Sequence, residues 1–254
     1  MSLFVNVPYR MVEKNLEKAA GLSIGLEIYL DNHLIEEIDM GHVKEFSKKL
    51  RDFKVPCTVH APFMDLSPGG YDRSIRKITR DKLKKSAEVG NMLEAQACVC
   101  HPGYDKWRFD GNEQLWLDGS IETWTEVLGV ADKSLPIIVE NIFEETPATL
   151  IALLDNFKEK NLWFCFDSGH FNLFSRVSLD DWLVPLKKRI REMHLHDNNG
   201  TFDDHLPIGS GSFPFRELKN FLGQIEMKQI IFTVEPHSEA TVVDSIKRLK
   251  EFLS

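Results

Sequence analysis

Six short apolar stretches of this sequence each end in a residue that can carry charge or hold a cation. They read Thr-Val-His60, Cys-Val-Cys-His101, Ile-Val-Glu140-Asn, Cys-Phe-Asp167-Ser-Gly-His170, Met-His194-Leu-His196-Asp197 and Thr-Val-Glu235-Pro-His237. A further cluster, Asp203-Asp204-His205, follows the stretch that holds His194. Imidazole nitrogen combined with carboxylate oxygen suits zinc, manganese, cobalt or iron better than calcium or magnesium. A carboxylate in such a place can also move a proton. Singly, each residue reads as a solvated or hydrogen-bonded loop side chain, and Asp167-x-x-His170 or Asp203-x-His205 is ordinary by itself. Together they would be very costly to bury without a counter-charge, and a divalent cation removes that cost.

The elements that would position these residues follow one pattern along the chain. Short runs rich in Val, Ile and Phe alternate with polar or Gly/Pro turns and longer segments of helical spacing. The strand-like runs are Leu3–Val7, Gly25–Leu30, Pro56–His60, Ala97–His101, Pro136–Asn141, Leu162–Asp167, Glu192–His196 and Ile230–Glu235. Helical spacing appears, for example, over Val43–Phe53, Ile75–Met92, Ile121–Ala131 and Val242–Leu253. Ser120 and Ser178 read as helix N-caps, and Pro147 as a first helical residue. Eight strands alternating with eight helices in 254 residues predict one α/β domain over 1–254, a (β/α)8 TIM barrel. The longest irregular stretches, Pro102–Gly119 and Asp197–Phe213, follow strands on the face where such barrels place their active sites.

Composition narrows the partners. A hydrophobic fraction of 43% and a charged fraction of 28% support a packed core. A net charge of −8 disfavours loose binding to nucleic acid or anionic membrane. No apolar run is long enough to cross a bilayer, Met1 to Lys14 shows no secretory signal, and a cytoplasmic location is expected. Cys57, Cys98, Cys100 and Cys165 lie in apolar runs and read as buried thiols of a reducing compartment, and Cys98 and Cys100 are too close together for a zinc knuckle.

Several residues read as plain structure. His33 and His42 lie near a helix start, and His237 could simply line the rim. Trp107, Trp116 and Trp124 could stack on a sugar or base, with core or loop packing as the default. Ile208–Ser212, glycine-rich before a helix, is either a phosphate cradle or a turn.

In this order, His101-Pro-Gly, Glu140-Asn, Asp167-Ser-Gly-His170, His194-Leu-His-Asp197, Asp203-Asp-His205-Leu-Pro-Ile-Gly and Glu235-Pro resemble the xylose isomerase-like barrel superfamily, which includes endonuclease IV and many sugar isomerases and epimerases. The resemblance implies one divalent cation (Zn, Mn or Co) held by Glu140, Asp167, His194 and Glu235, as in the sugar epimerases. It leaves His196 beside the site or facing substrate. For endonuclease IV it implies up to three zinc ions, with His60, His101, His170, Asp203 and His205 added. All nine positions match. The strand-seven sequence is closer to the epimerase branch, because His196-Asp-Asn-Asn stands where the nucleases have Asn-Asp-Ser-Lys.

Two functions follow from the resemblance. The first is a sugar or sugar-phosphate isomerase or epimerase working through an enediolate. Glu140 and Glu235 would exchange protons, and His170 and His101 would bond substrate hydroxyls. The second is a zinc-dependent phosphodiesterase acting on abasic DNA, for which Arg73, Arg76, Lys106, Arg108 and Arg176 could line a basic groove. A catalytically silent metabolite-binding barrel fits less well, since no ligand position is missing. A homo-oligomer is possible under either function.

Overall fold

The computed structural model describes residues 2–254. The apolar runs become eight strands: β1 (Ser2–Pro8), β2 (Gly25–Tyr29), β3 (Cys57–His60), β4 (Cys98–Cys100), β5 (Ile137–Glu140), β6 (Leu162–Asp167), β7 (Ile190–His194) and β8 (Ile231–Val234). Every neighbouring pair is parallel, and β1 pairs with β8 from Ser2↔Ile231 to Val5↔Val234, closing the barrel. The (β/α)8 expectation is met. Side chains alternate inward and outward along each strand. The inward set below the site, Phe4, Ala97, Val99, Ile138, Cys165 and Ile231, forms its own apolar cluster inside the barrel. A Cβ at Gly25 would overlap the Phe4 ring, so glycine there lets the ring fill the barrel axis.

The described residues form ten helices rather than eight: α1 (Tyr9–Leu22), α2 (Asn32–Glu37), α3 (Met40–Phe53), α4 (Arg73–Leu93), α5 (Glu113–Val130), α6 (Ala148–Asp155), α7 (Ser168–Phe174), α8 (Leu179–Leu186), α9 (Phe215–Leu222) and α10 (Val242–Leu253). The two extra are the short α2 and α7, each opened by an aspartate. Asp31 accepts from the amides of His33 and Leu34, and Asp167 accepts from that of His170. These caps satisfy amides that a helix start leaves without partners.

Ser178 caps α8 as expected, in a capping box with Asp181. Ser120 does not start a helix. Asn112 caps α5, so the end of the stretch 102–119 is helical. Gly119 and Ser120 instead form a small-residue seat for the chain at Gly69, where a Cβ would strike Trp116 and Ser120. Pro147 is the residue before α6 rather than its first.

No described helix is long and apolar enough to cross a membrane. All four cysteines are buried and unpaired in disulfides. Burial pushes the Cys57 thiol up to about 12. The Cys98 contact raises the Cys100 thiol, and burial raises that of Cys165. Since the thiolate is the reactive form, native protein at pH 8 should stay unlabelled by an alkylating reagent while unfolded protein labels fully. Rapid native labelling of any one thiol would contradict its placement.

Candidate metal centre

The C-terminal ends of the strands converge on Glu140. Its Oε2 lies 3.3 Å from His60 Nε2, 3.6 Å from His101 Nε2 and 3.3 Å from His194 Nδ1. Its Oε1 lies 3.1 Å from His170 Nδ1. Four imidazoles from β3, β7 and the segments after β4 and β6 therefore meet one carboxylate that is 1% exposed.

His194 is fully buried, and its Nδ1 faces oxygens of three carboxylates: Glu140 Oε2 at 3.3 Å, Glu235 Oε1 at 3.4 Å and Asp167 Oδ2 at 3.9 Å. None is aligned for a hydrogen bond, and Nδ1 has no partner. An unpaired buried nitrogen costs free energy. The donor set, one imidazole and three carboxylates, fits a first-row divalent cation, so the residues present fit the group.

Most of these histidines have one nitrogen tied and the other directed at the cluster. Nδ1 of His60, His170 and His205 bonds the backbone carbonyls of Ala61, Asn141 and Glu235 at 3.0, 3.0 and 2.6 Å. Neutral imidazoles so held keep the lone pair on Nε2. Asp167 is similarly split. Oδ1 caps α7 while Oδ2 accepts from His196 Nε2 at 3.0 Å.

Asp203 and His205 come from the long segment after β7. Asp203 Oδ2 lies 2.9 Å from His205 Nε2 and 3.4 Å from His170 Nε2. His196 joins them as well as His170: its Nδ1 is buried without a partner, and the His196 and His205 rings stack at 3.9 Å. His237 stacks on His205 at 3.8 Å. The potential ligand groups thus include His60–His101–Glu140 and His196–Asp203–His205.

Asp197 holds that segment. Its oxygens accept from the amides of Gly211 and Phe213 at 2.8 and 3.0 Å, and its backbone pairs with Leu206 in both directions. The same contacts decide the reading of Ile208–Ser212. The amides of Gly211 and Ser212 are already used, by Asp197 and by the Asn198 carbonyl, so the loop behaves as a buttressed turn and not as a phosphate cradle.

A cavity of about 1140 Å³ opens above the cluster, with His60, His101, Glu140, His170, His205 and Glu235 in its wall. Of the five basic residues considered for a nucleic-acid groove, Arg108 is the one in this wall. Arg76 pairs with Glu122, and Lys106 and Arg176 both approach Glu145. Trp116 and Trp124 are core, whereas Trp107 is 83% exposed. All nine ligand positions expected from the resemblance are brought together. Glu27, Glu192 and Asn6, inside the barrel just below, are not strand-end residues and escaped the sequence reading. For Glu27, a charged residue midway along an otherwise apolar strand was the available signal.

Charge in the cluster is balanced by protons on imidazole. Burial depresses His60 and His205, but their carboxylate neighbours outweigh it and lift both to about 9. Burial also opposes the raised values of His170 and His194. Burial opposes ionisation of Glu140 and Glu235, yet the His194 imidazole and its neighbours hold both well below the usual carboxylate range. Burial pushes Glu144 and Glu192 up to about 7.

For cation-free protein near neutrality the raised groups share one sign, whereas burial depresses His101 and His237, whose contribution instead grows as pH rises toward 6.5. A histidine raised from 6.5 to about 9 contributes stability below pH 6.5 that is lost as pH rises through 9. A glutamate raised from 4.5 to about 7 loses its contribution between those values. The melting temperature in chelator should therefore fall between pH 6 and pH 9, while zinc, which displaces those protons, should bind more tightly over the same range. Calorimetric melts with and without zinc check this, and a flat chelator curve would contradict it.

The family model described as xylose isomerase-like TIM barrel matches residues 18–252 of this chain. The chain is 31% identical over 218 residues to the uncharacterized protein MJ1311 of Methanocaldococcus jannaschii, covering 82% of this chain and 74% of that protein. A D-tagatose 3-epimerase-like protein superposes with a TM-score of 0.81 at 26% identity, over 100% of this chain and 97% of the other. Endonuclease IV from Thermus thermophilus superposes with a TM-score of 0.74 at 16% identity, over 100% and 99% of the two chains, a likeness of fold alone.

Proposed function

Because the chain belongs to the xylose isomerase-like TIM barrel family, we propose that it is a divalent-metal-dependent isomerase or epimerase of a sugar or sugar phosphate. The observation that carries this reading is His194 Nδ1, unpaired and faced by Glu140, Asp167 and Glu235, of which Glu140 and Glu235 line the open cavity. A cation bound by these four residues would supply Lewis acidity that makes a C–H beside a carbonyl easier to ionise.

The side chains do the rest. Glu140 and Glu235 reach the cavity from different strands, so they can address different sides of a bound sugar. One carboxylate accepts the proton from carbon, and the electron pair stays on the substrate as an enediolate. The other, after taking a proton from solvent water, gives it to the opposite face or the adjacent carbon, and the first releases its own proton to water. His101 and His170 offer hydrogen bonds to hydroxyl groups. The similarity to a D-tagatose 3-epimerase-like protein supports this branch of the family. Incubation of the Mn-, Co- or Zn-loaded protein with a panel of ketoses, aldoses and their phosphates in D2O should place deuterium on carbon for at least one. No exchange across the panel would reject the proposal.

A second reading, phosphodiester cleavage at abasic DNA, is favoured by one observation: the two additional ligand groups, His60–His101–Glu140 and His196–Asp203–His205. It requires about three zinc ions per chain acting on one phosphate, and incision of an abasic duplex. The scattered basic residues weigh against it. Elemental analysis showing one metal per chain, without incision, rejects it.

A further inference from the structure

Two carboxylates lie beneath His194 with no accessible surface: Glu27, midway along β2, and Glu192, on β7. Glu192 Oε1 accepts from the Thr233 hydroxyl at 2.6 Å, and its other oxygen has no partner. It stands 3.7 Å from His194 Nε2, beyond hydrogen-bond reach.

Glu27 makes two contacts of a different kind. Its Oε2 lies 3.2 Å from His194 Nε2. Its Oε1 accepts from Asn6 Nδ2 at 2.8 Å, and the same amide donates to Glu235 Oε1 at 3.1 Å. Thr58 Oγ1 steadies Oε2 from β3 at 3.4 Å. A carboxylate that accepts from Nε2–H fixes the rotation of a neutral imidazole and leaves its lone pair on Nδ1. On His194 that is the nitrogen facing Glu140, Asp167 and Glu235.

We propose that Glu27 is the positioning residue of the centre. It holds two of the four cation-binding side chains at once, His194 directly and Glu235 through Asn6, and does so from below the cavity without lining it. The inference rests on the cation site proposed above. Glutamine cannot replace it cleanly, because one amide oxygen would have to serve both Asn6 and His194, and one link must break. Methionine, of similar length, breaks both.

The test is zinc affinity of the full chain by chelator competition, together with ¹⁵N imidazole spectra of the zinc-loaded protein. Glu27→Gln and Glu27→Met should weaken zinc roughly 10–100-fold, the range for lost hydrogen bonds to a ligating histidine, with methionine the worse. Glu192→Gln should stay within about threefold of wild type, since no ligand bond is lost. In wild type the His194 signal should show a proton on Nε2 and none on Nδ1. A cooperatively melting Glu27→Met that binds zinc as wild type does would overturn the inference, as would a proton on Nδ1. Should methionine prevent folding, the wild-type spectrum and Glu27→Gln still decide. Wild type that binds no zinc would overturn the cation site itself, which is a separate failure.

Discussion

Glu140→Gln is expected to reduce solvent-deuterium incorporation into the substrate by about a thousandfold or more, to background, in the range for loss of a general acid–base group, and to weaken zinc binding in parallel. Among the described residues, Glu140 is the one side chain within 3.6 Å of His60, His101, His170 and His194 together. Removing its charge therefore touches the His60–His101–Glu140 group and the carboxylates around His194, but not the His196–Asp203–His205 group. It also takes from His60, His170 and His194 negative charge that helps raise their titration without a cation. Breaking a buried ion pair on one side costs about 3–5 kcal/mol, so the chelated protein should melt measurably lower. Loss of the neighbour that most raises His60 should at the same time flatten the fall in stability between pH 6 and 9. Exchange within about tenfold of wild type, a loss too small for a removed acid–base group, would show that Glu140 neither anchors the cation nor moves the proton.

Asp197→Ala should act on stability and on one part of the site only. Asp197 has no accessible surface, and removal of its carboxylate strands the amides of Gly211 and Phe213. At about 1–3 kcal/mol for each buried group left unpaired, the loss is about 2–6 kcal/mol. A chain of this size melts about 2–4 °C lower per kcal/mol. The segment it buttresses carries Asp203 and His205, so any zinc beyond one per chain should be lost first while the Glu140–His194 set persists. Asp197→Asn, which keeps one acceptor, should fall between. Differential scanning calorimetry and metal counting on both variants check the order, and equal loss from all ligand groups would contradict it. The close packing here is also visible at Gly211, where a Cβ would overlap the Asn198 carbonyl, and at Gly169, where it would overlap the His196 ring.

Much of the site was legible in local pattern. His60, His101, Glu140, Asp167, His194 and Glu235 all follow or end runs whose alternation and Gly/Pro boundaries mark strands. Parallel strands in a barrel place their C-terminal ends on one face. Helix details were less legible. Ser120 has the chemistry of a cap but sits inside α5, because Asn112 starts the helix earlier and the seat for Gly69 needs small residues. Asp31 and Asp167 start helices too short for hydrophobic periodicity to reveal.

The sequence by itself determined the alternation of strand and helix and the residues at the strand ends, because these depend on spacings of two and of 3.6 residues within one segment, and the length and even spacing of eight such units pointed to a (β/α)8 barrel. Only the tertiary structure decided which nitrogen of each histidine is free, that His196 stacks on His205, that Asp197 takes the amides of the glycine loop, and that Glu27 and Asn6 reach His194 and Glu235. Those are bonds between side chains on different strands or on separate loops. Their geometry follows from barrel closure and the register between strands, which no single stretch of sequence contains.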